Sequence, residues 1–322
     1  MKLHAPTRGP RGRDASFRDV AVALITRDTD GSGDERSMDE SGGAPRVSAW
    51  WRAARALRAS HWWYFAPLPL ASLVGVPSGD GGTALRVLGS IAVAALCLAY
   101  AYGLNGITDR GMDSNAAKNS LAGLAGVPRE AAVLVAACAL GALAVAAALT
   151  PIALLGAAVS LLAGTMYSAQ LRLKRLPVIG TIVNVLIFAP LPLLAVSGAP
   201  STDMLFLTYC FWVLITQNQI IHELTDAKED AMAGVRTTAV AAGPTGVRAI
   251  AFLLGPLSVP PLWLMHAAPA VLAWAVLGLC GGATTVALCD EDRAKQLRVV
   301  HRWFSLVVGV VLFALLAREG GA

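Results

Sequence analysis

The stretch "LGSIAVAALCLAYAYGLNGITDRGMD", Leu88 to Asp113, decides how the chain is read. Its first seventeen residues carry no charge and belong to an apolar run near the ~20 residues that cross a hydrocarbon core of ~30 Å. Its last nine, "NGITDRGMD", put Asn105, Asp109 and Asp113 at i, i+4 and i+8. At 3.6 residues per turn each successive oxygen-bearing side chain is rotated by only about 40°, so the three form one polar stripe at the helix end.

The rest of the chain agrees that the run is meant for lipid. Hydrophobic residues make up 56% of the 322 and charged ones only 15%, against roughly 25% in soluble domains. Nine apolar stretches are expected to span, near residues 61–78, 84–106, 129–149, 151–168, 177–197, 203–223, 248–266, 269–289 and 300–317. The expected architecture is an all-α integral membrane bundle. Ahead of it, residues 1–45 are too rich in Arg, Asp, Gly and Ser to bury a core and read as a disordered arm; the membrane domain covers 46–322. Residues 46–60, with Trp and Arg on opposite faces, read as an interfacial helix.

Short cytoplasmic loops collect Lys and Arg. The loops after spans 2, 4, 6 and 8 hold thirteen, the last four being Arg293, Lys295, Arg298 and Arg302; the opposite loops and C-terminal tail hold Arg86 and Arg318. The N-terminus and the polar stripe should therefore face the cytoplasm of a cell (inner) membrane. The net charge of +5 concerns orientation and not nucleic acid, for which no basic stripe is present. Five cysteines stand singly in apolar surroundings and read as small buried hydrophobes.

A second stretch, "HELTDAKED", ends span 6 and repeats the spacing with His222, Asp226 and Asp230, Glu223 preceding Asp226 by three. One such stripe could be a solvated helix end; two on the same side of a membrane bundle point to function. Four aspartates held together repel one another unless a cation lies among them. Carboxylate and amide oxygens suit Mg²⁺, which takes one or two carboxylates and completes its shell with water and substrate phosphates. No Cys or His cluster offers zinc a softer set. Two magnesium ions gripping a diphosphate are thus expected, with "MYSAQLRLKRLP" adding the cations Arg172 and Lys174 on the same side.

These residues carry a resemblance. "NGITDRGMD" resembles the NDxxDxxxD motif, and "DAKED" the second DxxxD motif, of the UbiA superfamily of intramembrane prenyltransferases. "YSAQLRLKRLP" resembles its Tyr-Ser-rich loop, and "GVRTTAV" the segment after its second acidic motif. The resemblance implies nine transmembrane helices around a central cavity with both acidic motifs at its cytoplasmic mouth. It implies that Asn105, Asp109 and Asp113 bind one magnesium and Asp226 and Asp230 the other, with Tyr167, Arg172 and Lys174 near the diphosphate; Arg110 and Lys118 are further candidates for binding the diphosphate. Gly106 departs from the pattern, standing where many members have the first Asp.

The expected chemistry is Mg²⁺-dependent ionisation of an allylic prenyl diphosphate, with transfer of the isoprenyl group to an aromatic or quinone-precursor acceptor. A terpene cyclase would use the same acids on one substrate. A transporter would carry its acids at the midplane, and here they lie at the mouth. His222 or Glu223 could take the final proton or be structural partners. Gln217, Asn218 and Gln219 could hydrogen-bond an acceptor or bridge helices. Arg58 and His61 are weaker candidates, while Trp62, Trp63 and Tyr64 read as interface anchors.

Overall fold

The computed structural model describes residues 48–74, 81–111, 116, 119–169, 172–232, 234–265, 269–276, 278 and 293–319. Every regular element among them is helical: α1 (Ala49–Ala56), α2 (Gly81–Asp109), α3 (Arg129–Leu149), α4 (Pro151–Ser168), α5 (Ile179–Phe188), α6 (Thr202–Met232), α7 (Thr238–Met265) and α8 (Ala294–Glu319), joined in places by short 3-10 segments. Residues 269–276 are also helical. All belong to one compact unit, Val47–Ala322. The expected disordered arm, residues 1–45, lies outside the described residues, as does most of the expected span at 269–289.

Six of these helices, α2, α3, α4, α6, α7 and α8, are long and apolar enough to cross a membrane. Two expected spans take another form. Residues 59–73, the bulk of the stretch expected at 61–78, run as three 3-10 segments, Ala59–His61, Trp63–Phe65 and Leu68–Leu73. Pro67 and Pro69 lack the N–H that an α-helix would use and disfavour helical geometry before them. The stretch at 177–197 holds only the ten residues of α5, about 15 Å of rise. Pro190 and Pro192 then break it into the 3-10 turn Leu191–Leu193. The carbonyls this releases are met by side chains, as membrane burial demands: Ser160 donates to Ile187 O at 2.5 Å and Trp212 Nε1 to Ala189 O at 2.9 Å. Within α7, Gly243 (φ 67°, ψ 172°) leaves helical geometry just before Pro244, so α7 is two helices meeting at a kink.

Small residues let the first helices approach closely, the usual means of packing where lipid offers no hydrophobic drive. Ala142 and Ala146 on α3 and Ala153 and Ala157 on α4 are fully buried, and a Cβ at Gly164 would stand 3.2 Å from Ala101 Cβ on α2. Large apolar side chains point outward instead, among them Leu140, Leu155, Leu162, Leu257, Leu306 and Val310. On α1, Ala53 and Ala56 are buried against Leu121 and Ala131, while Trp50 and Trp51 are exposed.

Helices α2 and α6, with 29 and 31 residues, rise about 43 and 46 Å, well beyond a ~30 Å core. Asn105 and Asp109 lie in the last turns of α2, and His222, Asp226 and Asp230 in the last turns of α6.

Candidate active site

At the end of α2, Asp109 is 8% exposed and would be costly there without a partner. It has one. Lys174, on the 3-10 turn Leu173–Arg175 after α4, places its ammonium 2.5 Å from both Asp109 oxygens and 3.1 Å from Asn105 Oδ1. Ser168, the last residue of α4, donates to the same Asn105 oxygen at 3.2 Å. Arg172 takes a left-handed backbone (φ 44°) and donates from Nη2 to Thr108 O at 3.2 Å, tying the turn to α2. Gly180 makes the arrangement possible from below: a Cβ there would lie 3.0 Å from Leu173 O and from Lys174 Cα and O.

The end of α6 is built otherwise. His222 Nδ1 lies 3.7 Å from Asp226 Oδ2, both part exposed, and Asp230 follows one turn on. Glu223, about 60° round the helix from Asp226, is buried. It accepts from Thr181 Oγ1 at 2.7 Å, Gln219 Nε2 at 3.1 Å and Ala239 N at 3.2 Å. Thr238 completes the knot, 2.7 Å from Thr181 Oγ1 and accepting from Val178 N at 2.9 Å. Val178 holds φ 64°, a strained value for a β-branched residue, on order of 1–3 kcal/mol. The segment "GVRTTAV" thus supplies the Ala239 amide that Glu223 accepts and the Thr238 hydroxyl beside Thr181, so that α5, α6 and α7 are joined around one carboxylate.

Tyr167 of α4 lies between the two ends, within electrostatic reach of Gln219 and Glu223 on α6 and of Asp109 on α2. On another side Arg298 of α8 lies within reach of Asp226 on α6 and Tyr102 on α2. Asn105, Asp109, Tyr167, Arg172 and Lys174 therefore form one group, linked to Asp226 through these neighbours.

The remaining expected residues separate by geometry. Gln217 bridges α6 to α7 and α8, donating to Ala251 O at 2.9 Å and lying 3.3 Å from His301 Nε2, and Gln219 is taken by Glu223. Asn218 alone of the three keeps a buried carbonyl oxygen with no partner. Arg110 donates from Nη1 to Ile107 O at 2.8 Å, closing the end of α2. Asp113 and Lys118 lie outside the described residues. Gly106 faces away from the acids: Asn119 Nδ2 donates to its carbonyl at 2.9 Å, and a Cβ there would be 3.5 Å from Ala56 O and Asn119 Oδ1. An aspartate at 106 would begin its side chain beside two acceptor oxygens. A cleft of about 360 Å³ between α1 and the 121–128 segment, lined by Arg52 among others, contains none of the site residues.

Sequence reasoning overlooked Thr181, Thr238 and Ser168, whose hydroxyls carry no pattern of their own. It also read Arg298 and Arg302 as loop anchors. Both lie inside α8, with Arg302 over the Tyr64 ring at 5.3 Å.

The residues present fit a divalent cation of the hard kind. Asn105 and Asp109 already clasp a positive charge, the Lys174 ammonium, with oxygens alone. Among the described residues no three His, Cys, Asp or Glu side chains form a preassembled cluster. A metal there would complete its shell from water and substrate oxygens, the habit of Mg²⁺.

Comparison with solved structures places the fold. A UbiA homologue from Archaeoglobus fulgidus bound to DMAPP and Mg²⁺ matches with TM-score 0.64 at 20% identity, covering 84% of this chain and 99% of that one. The same homologue bound to GPP and Mg²⁺ gives 0.64 at 21%, covering 84% and 100%. A digeranylgeranylglyceryl phosphate synthase gives 0.63 at 15%, covering 84% and 99%. No curated protein matches. The model of the UbiA prenyltransferase family matches residues 65–307, from the 3-10 turns through most of α8 and across both acidic ends. On that extent of match, this multi-pass membrane protein belongs to the UbiA prenyltransferase family.

Proposed function

We propose that this prenyltransferase moves an isoprenyl group from an allylic diphosphate to an aromatic or quinone-precursor acceptor. The observation that carries the reading is the Lys174 ammonium held by Asn105 and Asp109 at the end of α2. Binding of DMAPP and GPP with Mg²⁺ by the A. fulgidus homologue supports a prenyl diphosphate donor. The acids are proposed to face the cytoplasm, on the loop charges.

Asp109 with Asn105, and Asp226 with Asp230, would hold one magnesium ion each, Asp113 joining the first set. When bound, the ions withdraw charge from the leaving diphosphate. Lys174 and Arg172 stand ready to turn from Asp109 and Thr108 O onto diphosphate oxygens, Lys as a point charge and Arg as a planar fork. The C1–O bond breaks, the electron pair leaves with the diphosphate, and the allylic cation at C1 is captured by an electron-rich acceptor carbon. Loss of a proton from that carbon restores the acceptor. The apolar walls exclude the water that would otherwise quench the cation. Asn218, with its unpartnered carbonyl oxygen, and His222, beside Asp226, are the proposed candidates for binding the acceptor and taking its proton. Glu223 is occupied by three donors and serves as a tie.

The test incubates membranes with geranyl, farnesyl and geranylgeranyl diphosphates, with and without aromatic acceptors, and weighs the products. Prenylated acceptor formed only with Mg²⁺ is expected. A cyclic product formed without acceptor would establish a cyclase instead, and turnover that survives chelation would overturn the metal-dependent reaction.

A further inference from the structure

The end of α2 is held by more than Lys174. A helix leaves the carbonyls of its last turn for donors from outside its own ladder, and in α2 side chains reach three of them in succession. Asn119 Nδ2 donates to Gly106 O at 2.9 Å, Arg110 Nη1 to Ile107 O at 2.8 Å and Arg172 Nη2 to Thr108 O at 3.2 Å. Arg110 is a near neighbour on the chain, and Arg172 is proposed to turn toward the diphosphate. Asn119 alone of the three is a neutral donor brought from another segment, and it is buried at 1% exposure.

Its amide has one orientation. Oδ1 accepts from Leu121 N at 3.0 Å while Nδ2 serves Gly106, so a flipped amide would set oxygen against oxygen at one end and N–H against N–H at the other. The segment that carries it is tied on both sides. Ser120 Oγ donates to Arg52 O at 3.0 Å and Gly123 N to Arg110 O at 2.9 Å, and the buried Leu121 packs with Ala53 and Ala56 of α1 and Ala131 of α3. Gly106 makes room for this contact. It stands one residue after Asn105 and three before Asp109, and a Cβ there would lie 3.5 Å from both Ala56 O and Asn119 Oδ1. A methyl group fits at that distance, but an aspartate would bring a buried negative charge to two acceptor oxygens.

We propose that Asn119 is a positioning residue: through the Gly106 carbonyl it fixes the last turn of α2, so that Asn105 and Asp109 present their oxygens together to one divalent cation. The proposal rests on the reading of those two residues as ion ligands and not on the nature of the acceptor. Asn119 acts through the backbone and contributes no ligand oxygen. A turn already ordered loses little freedom when the ion binds, so its ordering is read as affinity.

The experiment follows the melting midpoint of the full chain, purified in neutral detergent, as Mg²⁺ is titrated in with methylenediphosphonate standing for the diphosphate. Donor KM is measured alongside at saturating Mg²⁺. Asn119→Ala should raise the Mg²⁺ concentration for the half-maximal midpoint shift about tenfold and leave donor KM at saturating Mg²⁺ close to that of the unmodified chain. Asn119→Gln, which keeps the amide but moves it by one methylene, should fall between; it carries the test if the alanine variant does not fold. Ser120→Ala, which loosens the same segment at its bond to α1, should leave the Mg²⁺ requirement unchanged. Gly106→Asp should raise that requirement and Gly106→Ala should not. A folded Asn119 variant with the Mg²⁺ requirement of the unmodified chain would overturn the positioning role. So would a rise in Ser120→Ala equal to that in Asn119→Ala, which would make the segment a brace only. Tighter Mg²⁺ binding in Gly106→Asp would overturn it as well, by making position 106 a missing ligand. A midpoint shift that survives Asp109→Asn would sink the ion ligands themselves and the positioning with them. If Mg²⁺ binding depends on Asn119 while no prenyl diphosphate is turned over, the reaction fails and the positioning stands.

Discussion

The ends of α2 and α6 carry acids at the same helical spacing and put them in unlike surroundings. At α2 the acid that faces the site, Asp109, is buried and neutralised by Lys174. At α6 Asp226 is part exposed beside His222, and the buried acid is Glu223, held by three donors. The difference teaches that spacing selects a face but not a role. Asp109 is tied by one ammonium, which the proposed metal would displace. Glu223 is tied by two hydroxyl and amide side chains and a backbone N–H, which no ligand replaces.

The largest expected effect tests whether the two ends are equals in catalysis. Asp109→Asn and Asp226→Asn should each lower turnover about 100-fold or more, since each removes a carboxylate proposed to hold an ion at the leaving group. Only Asp109→Asn should also change the melting midpoint of the metal-free protein, because Lys174 then loses its anion. Equal melting of the two variants would erase the contrast between the ends.

Next comes Glu223. Glu223→Ala leaves Thr181, Gln219 and Ala239 N without their acceptor and should destabilise the detergent-purified protein by about 2–4 kcal/mol. Glu223→Gln should cost less and retain most turnover per folded molecule. A folded Glu223→Gln variant with no turnover would make Glu223 the base and sink its role as a tie.

Lys174→Met sharpens the comparison from the cation side. Without the ammonium, Asp109 is buried and uncompensated. The midpoint should fall in chelator and recover with Mg²⁺, giving a larger metal-induced shift than in the unmodified chain, and the donor KM should rise roughly tenfold. A metal-induced shift no larger than that of the unmodified chain would show that Lys174 and the ion do not share Asp109.

The smallest effect belongs to the knot beside Glu223. Thr238→Val removes the acceptor of Val178 N and the neighbour of Thr181 Oγ1 and should cost about 1 kcal/mol, read as a lowered midpoint with donor KM unchanged.

Much of this was legible in advance because it depends on local pattern. The apolar lengths of α3 and α4 reproduce the expected 129–149 and 151–168. The i, i+4 stripes mark where α2 and α6 end. Where prolines cluster, the pattern misleads: the stretches at 61–78 and 177–197 are apolar enough for lipid, but missing N–H groups turn them into 3-10 segments and a ten-residue helix. The inward turn of Arg298 and Arg302 was hidden for another reason. A Lys or Arg near a helix end satisfies the loop-charge rule whether it faces water or the bundle.

By itself the sequence determined that the chain enters a membrane, which helices could cross it and that oxygen ligands recur at two ends. Hydropathy and helical period are properties of consecutive residues. Only the tertiary structure decided that Lys174 meets Asp109 across 65 positions, that Glu223 ties three helices and that Arg58 and Arg302 stand over the Tyr102 and Tyr64 rings. Those choices depend on which helix faces come together, and packing of small residues and breaks at proline, not composition, set the faces.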